Sequence, residues 1–349
     1  MTDTPVRITV VQCGKGRRHG PGPTEQLRAW LAEQLDSRTT ISAVRSLHGG
    51  ESPWWIDLTT PGGTTCSEDH RSGTACSEGH RSRTTCSEDH RSRTTCSAVL
   101  RSDSACSVVL RSPSSRISSD QIATNVAALA VAEKHGLPAP RLLAADLDGR
   151  AAGTPASLET VVPGTSAWPD PPSTELLLAA GAALARIHAV ALDPTPHLPF
   201  RPRPIAVDDF AQDRREGRMP TTALLDLADA RVRAIKRPST PVVFVHGDMW
   251  PGNTVVAGSG IRGLIDWKTA GVGDPGVDLG ELRKQVAIRY DDDAPGHVLE
   301  GWERVSGRRA GDIAYWDAVA ALNTPTETYS PHATLRRDHF LRAAIARLR

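Results

Sequence analysis

His246-Gly247-Asp248 closes an apolar run, Val242 to Val245, and is followed by Asn253, by Asp266 after Gly263-Leu264-Ile265, and by Gly273-Asp274-Pro275 with Asp278. Runs of this kind read as strands that deliver polar residues into the loops at their ends. A carboxylate, an amide five residues on and a second carboxylate thirteen residues later have a specific chemical use. Asn253 and Asp266 offer hard oxygen donors, which suit magnesium when one or two protein ligands share it with phosphates. Asp248 is then left to orient an attacking hydroxyl. Phosphoryl transfer asks for little beyond positioning, a metal ion and charge neutralisation, and an Asp, an Asn and a metal-binding Asp are its recurring parts. Each residue alone is also a common turn former; the ordered set carries the reading.

The elements that must position these residues fall into two classes. Thr24 to Leu35 has the spacing of an amphipathic helix, and Thr39 to Leu47 and Trp54 to Thr60 read as strands joined through His48-Gly49-Gly50-Glu51-Ser52. Ser119 to His135 is an alanine-rich helix stopped by Gly136, and Arg141 to Ala145 and Ala156 to Val162 are further strands. After Pro163-Gly164 and the proline-rich stretch Trp168 to Pro172 the pattern turns helical: Thr174 to Val190, Asp208 to Glu216, Thr222 to Ile235, Val298 to Val305 and Ile313 to Leu322. The expected fold is α+β, an antiparallel-sheet lobe followed by a mainly helical lobe with a cleft between them. Residues 1–38 form an N-terminal tail and helix in this reading, 39–162 the sheet lobe, and 163–349 the helical lobe with the polar loops.

Composition narrows the partners. With 41 Lys plus Arg against 40 Asp plus Glu in 349 residues, a strongly basic nucleic-acid binder is excluded. No apolar run approaches the roughly 20 residues that span a bilayer, and no apolar segment follows a basic start, so no membrane partner and cytoplasmic residence are expected. Lysine occurs only at Lys15, Lys134, Lys236, Lys268 and Lys284. Five of the six cysteines, Cys66, Cys76, Cys86, Cys96 and Cys106, recur every ten residues and mark a tandem decapeptide, an insertion at about 63–112. Its Cys-x-x-x-His copies carry zinc-type ligands, but their spacing is imposed by the repetition, and the polar composition favours disorder. The fifth copy, with Val108-Val109-Leu110, reads instead as a strand from Ser107 to Ser112 that places Arg111 in the sheet.

The pattern His-Gly-Asp-(four residues)-Asn, Ile-Asp-Trp and Gly-Asp-Pro-x-x-Asp-Leu, complete from His246 to Leu279, resembles the aminoglycoside phosphotransferase and choline kinase-like family. Gly136-Leu-Pro-Ala-Pro140, Val162-Pro-Gly164 and Ile187-His188 extend the resemblance. It implies a protein-kinase-like bilobal fold and an ATP- and Mg2+-dependent enzyme that phosphorylates a hydroxyl of a small molecule, of antibiotic or amino-alcohol type. Carried over by position, Asp248 is the catalytic base, His246 supports the catalytic loop, and Asn253 and Asp266 are the magnesium ligands. Asp274 and Asp278 are structural and cap the next helix. Backbone groups of Thr160 and Val162, in the hinge, meet the adenine, and Gly49-Gly50 covers the phosphates.

Two departures stand out. Where the family commonly has a lysine in the third strand and a glutamate in the following helix, this chain offers Arg111 and Asn125. Arginine stays charged and chelates phosphate, but its shape differs. Either the two are a matched alternative pair, or the protein binds nucleotide with weak or no catalysis. For a cationic acceptor, Asp291-Asp292-Asp293, Glu300, Glu303 and Asp317 are candidate acidic lining, and Trp302 and Trp316 candidate stacking partners, although solvated surface and core are their ordinary roles.

Overall fold

Thr24 opens the first helix, α1 (Glu25–Gln34), by accepting the Leu27 N–H on its hydroxyl, and the helix buries Leu27, Trp30 and Leu31. Those side chains enter the core of a five-stranded sheet made of β1 (Thr40–His48), β2 (Glu51–Thr59), β3 (Ser107–Arg111), β4 (Leu142–Asp146) and β5 (Ala156–Thr160). The strand order is β1-β2-β3-β5-β4. Pairings of Trp54 with Leu110, Ile56 with Val108 and Leu110 with Leu158 put one residue in two on the same face, and all of these join the α1 residues in one apolar cluster. Arg111 and Glu159 belong to the alternate set, on the other face of the same strands.

The computed structural model describes residues 22–35, 37, 39–48, 51–59, 107–237 and 242–348. Its chain forms two units, one of the described residues up to Ser114 together with Leu143–Thr160, the other of Ser115–Leu142 together with Val161 onward. The tail helix thus packs with the sheet lobe, and α2 (Ser119–Lys134), although it lies between two strands in sequence, counts with the helical unit, where Ala128 and Leu129 enter the core. The strand expected from the fifth decapeptide copy forms as β3, paired with β2 and β5.

The second unit continues with α3 (Thr174–Ile187), α4 (Phe210–Arg215) and α5 (Ala223–Ala234), then β6 (Val243–Val245), a 3-10 turn at Pro251–Asn253, the hairpin β7 (Thr254–Ala257) and β8 (Gly260–Leu264), and β9 (Gly271–Gly273). It ends with α6 (Gly276–Arg289), α7 (Ala294–Ser306), α8 (Ile313–Leu322) and α9 (Pro331–Ala346). Helices α3 and α7 touch backbone to backbone, because a Cβ on Gly181 would collide with the Val298 carbonyl and one on Gly301 with the Leu178 carbonyl. Helix α6 is buried on nearly every side, with Glu281 and Lys284 paired inside and Arg283 paired with Asp317. Among the described residues, no helix is long and apolar enough to cross a membrane.

Candidate active site

Strand β6 pairs with β9 and carries the chain into His246-Gly247-Asp248. Gly247 sits at φ 81°, and a Cβ there would collide with the Thr269 carbonyl, so the turn admits only glycine at low cost. His246 is fully buried. Its Nε2 lies 2.9 Å from the Ile265 carbonyl, and its Nδ1 accepts the Asp248 N–H at 3.4 Å. A carbonyl can only accept, so Nε2 carries the proton and the ring is neutral. Burial pushes its pKa down and outweighs the pull of Asp278 and Asp266, in accord with that state. The imidazole also packs against Trp267 with ring centroids 4.5 Å apart. It therefore ties the loop after β6 to the segment that bears Asp266, as a positioning residue.

Asp278 performs a task that capping does not describe. Fully buried in the first turn of α6, it accepts the His246 N–H on Oδ2 and the Gly247 N–H on Oδ1, each at 2.8 Å. His188, at the end of α3, adds a third bond, Nε2 to Oδ2 at 3.0 Å. The indole N–H of Trp302 on α7 donates to His188 Nδ1 at 2.9 Å, and an indole only donates, so His188 Nε2 bears the proton given to Asp278. Burial opposes the charge on Asp278, but the hydrogen bond from His188, and then the His246 N–H, prevail and hold its pKa below the ordinary value. Asp274 precedes the N-cap residue Pro275, and its Oδ1 accepts the Gly276 N–H at 2.7 Å. Neither carboxylate is the N-cap of α6: Asp274 braces the turn before it, and Asp278 clamps the loop.

Asp248, Asn253 and Asp266 are brought together by this scaffold. Asn253 donates its amide to the Asp248 carbonyl at 2.8 Å, so the atom of its side chain that could hold a cation is Oδ1. Its own carbonyl accepts the Ile265 N–H at 2.9 Å, just beyond the β7–β8 pairing of Thr254 with Leu264, so Asp266 emerges beside it. Asp266 is held at φ 67°, a left-handed conformation that Asp tolerates and most side chains resist. Its carboxylate is in contact with the ammonium of Lys268. Asp248 is half-buried, and burial raises its pKa to about 6, with Glu281 and Asp266 adding to the rise and Lys268 and Asn253 opposing it. Among the described residues, no three His, Cys, Asp or Glu side chains form a metal cluster of their own.

The other expected site residues are placed as follows. Arg111 is buried in β3, and its guanidinium meets Glu159 of β5, Nε and Nη2 to Oε1 at 3.0 and 2.9 Å. The carboxylate partner of Arg111 thus lies in the sheet and not in the following helix, α2, where Asn125 is buried. Thr160 ends β5 opposite Val108, and the passage between the two units falls directly after it. Val162 lies in the second unit, one residue past the passage, with its side chain against Gly263. Gly49 and Gly50 lie outside the described residues, as do the Cys-x-x-x-His copies.

The candidate acidic lining is committed elsewhere. Asp291, just before α7, accepts the Asp293 and Ala294 N–H groups, Asp292 faces Arg336 and His339, Glu300 and Glu303 pair with Arg304 and Arg309, and Asp317 is buried against Arg283 and Arg347. Trp302 and Trp316 are core residues.

A family model described as the phosphotransferase enzyme family matches residues 91–322. Solved structures share the fold at low identity. A Ralstonia eutropha JMP134 protein assigned as an aminoglycoside phosphotransferase aligns with a TM-score of 0.56 at 14% identity, covering 92% of this chain and 97% of its own. A macrolide 2'-phosphotransferase type I aligns with 0.52 at 20%, covering 93% and 96%. The amicoumacin kinase hAmiN, in complex with AMP-PNP, Ca2+ and Ami, aligns with 0.53 at 12%, covering 92% and 93%. Among curated proteins, none matches the chain.

Proposed function

The chain belongs to the phosphotransferase enzyme family, and from that premise we propose that it moves the γ-phosphate of ATP to a hydroxyl of a small molecule, of antibiotic or amino-alcohol type. The observation that carries the proposal is the clamped loop, in which His246, Gly247 and Asp278 hold Asp248 beside Asn253 and Asp266. Asp248 orients the acceptor hydroxyl and takes its proton as the hydroxyl oxygen bonds to the γ-phosphorus and the bond to the leaving diphosphate breaks.

The donor set fits magnesium: the Asn253 Oδ1, whose amide is committed to the Asp248 carbonyl, and the Asp266 carboxylate are hard oxygens that would hold the ion together with nucleotide phosphates. When bound, the ion would neutralise phosphate charge. Arg111, oriented by Glu159, is proposed to contact the phosphates, Gly49-Gly50 to cover them, and the backbone of Thr160 and Val162 to meet the adenine. The buried Arg111–Glu159 pair supports catalysis over a nucleotide-binding protein without turnover, because it supplies the cation with the carboxylate that Asn125 does not. Cytoplasmic residence, where ATP is plentiful, belongs to the same reading.

The test is a thermal-shift titration with MgATP beside a panel of hydroxyl-bearing acceptors. The expected outcome is a melting temperature that rises with nucleotide, by about 2.7 kcal/mol of stabilisation at a hundredfold excess over Kd, and ADP release with at least one acceptor. No shift and no release would refute it.

A further inference from the structure

Lysine is scarce in this chain, yet one of its five lysines stands at the proposed metal site. Lys268 lies two residues beyond Asp266, and its Nζ is on Asp266 Oδ2. The contact follows from the local backbone. Along an extended chain residues two apart share a side but do not fold onto each other, whereas the left-handed turn at Asp266 bends the segment back on itself. The residues on either side of Lys268 fix its direction. Trp267 is fully buried, donates its indole N–H to the Leu264 carbonyl at 2.8 Å and stacks on Phe244 at 5.3 Å. Thr269 is buried, with its hydroxyl on the His246 carbonyl at 3.4 Å. Between these anchors only the lysine turns toward the carboxylates, and its side chain is 21% exposed against 23% for Asp266.

We propose that Lys268 is a catalytic residue of this site: its ammonium occupies the cation position on Asp266 when nucleotide is absent and moves onto the γ-phosphate oxygens when ATP binds. The inference rests on the phosphotransfer reading above. An ordinary partly exposed ion pair contributes little to stability, so stability alone gives no reason to set an ammonium on a metal ligand. An ammonium has three donors and one carboxylate oxygen engages one of them, so further donors can meet phosphate oxygens as they arrive. The pull of Lys268 on the pKa of Asp248 places the same charge within electrostatic reach of the base. Lys268 thus supplies, from the loop after β8, a lysine for the phosphates that no position of β3 provides.

The test compares AMP-PNP and ADP binding by calorimetry in the wild type, Lys268→Met and Lys268→Arg, together with Mn2+ binding to the nucleotide-free proteins by electron paramagnetic resonance. In Lys268→Met the preference for AMP-PNP over ADP should fall about tenfold or more while ADP affinity holds, as loss of a charge-assisted hydrogen bond implies. Lys268→Arg should recover part of the preference. Mn2+ should bind nucleotide-free Lys268→Met more tightly than the wild type, because the competing ammonium is gone. An unchanged AMP-PNP to ADP ratio in a folded Lys268→Met protein would overturn the inference and leave the phosphotransfer reading standing. A wild type that binds neither nucleotide would overturn both.

Discussion

Asp248 and Asp278 stand a short distance apart on the same scaffold, and their surroundings push their acidities in opposite directions. Burial raises Asp248 to about 6, whereas donors from His188 and His246 hold Asp278 low. A base must be ionised to accept a proton, so kcat/KM should level off above pH 7 and fall about tenfold per pH unit below about 6. A pH-rate profile that stays flat down to pH 5 would contradict this role. The same shift costs stability. A carboxyl whose folded pKa is raised loses nothing below its unfolded value of 3.8, but above about 6 the fold carries the full penalty. Asp248→Asn should therefore be more stable than the wild type at pH 7, by on the order of 2 kcal/mol, with the difference vanishing near pH 4. For Asp278 the sign reverses: its lowered pKa contributes stability that is present above 3.8 and is lost as pH falls through the folded value. Asp278→Asn turns an amide toward backbone donors and should cost about 3 kcal/mol in a denaturant titration. At this scale the convergence of Asp248, Asn253 and Asp266 was legible, because the motif sets them in the loops at the ends of neighbouring strands. The motif did not reveal the clamp, since His188 lies 90 positions from Asp278 and only packing joins them.

Elements were legible where periodicity or composition is strong. The amphipathic α1 appears where its periodicity puts it, and β3 appears where Val108-Val109-Leu110 favour a strand, although every residue after Ser107 is buried. Helix α6 escaped because burial on nearly all sides removes the periodic contrast, and its charged residues are paired internally. Helix α9 escaped for a related reason, since Arg337 is fully buried and bonds the carbonyls of Pro325 and Thr326 in place of an apolar residue. The contact of α3 with α7 brings His188 and Trp302 together, and it depends on Gly181 and Gly301. Gly301→Ala, whose Cβ meets the Leu178 carbonyl, should destabilise by about 1–3 kcal/mol and lower kcat more than it raises KM, because it displaces the support of the loop and not a substrate contact. Equal stability and unchanged kcat would show that the helix contact does not transmit to Asp248.

For the whole molecule, near-zero net charge conceals an arginine-rich, lysine-poor chain, and the few lysines prove informative by position. The fold class was legible because strand-type and helix-type patterns separate along the chain. The assignment of α2 and the Arg111–Glu159 pair was not, since both depend on which strands become neighbours in space. The decapeptide array ends in a strand that the sheet needs, so removal of residues 63–102, which spares Ser107–Arg111, should leave the MgATP-induced rise in melting temperature unchanged. A folded deletion protein that has lost the rise would place the array in nucleotide binding. If Asp248 is the base of the proposed phosphotransfer site, Asp248→Asn should give a folded, nucleotide-binding protein whose transfer of labelled γ-phosphate from ATP to an acceptor is reduced by at least a hundredfold; a folded Asp248→Asn protein that transfers phosphate at the wild-type rate would show that Asp248 is not the base.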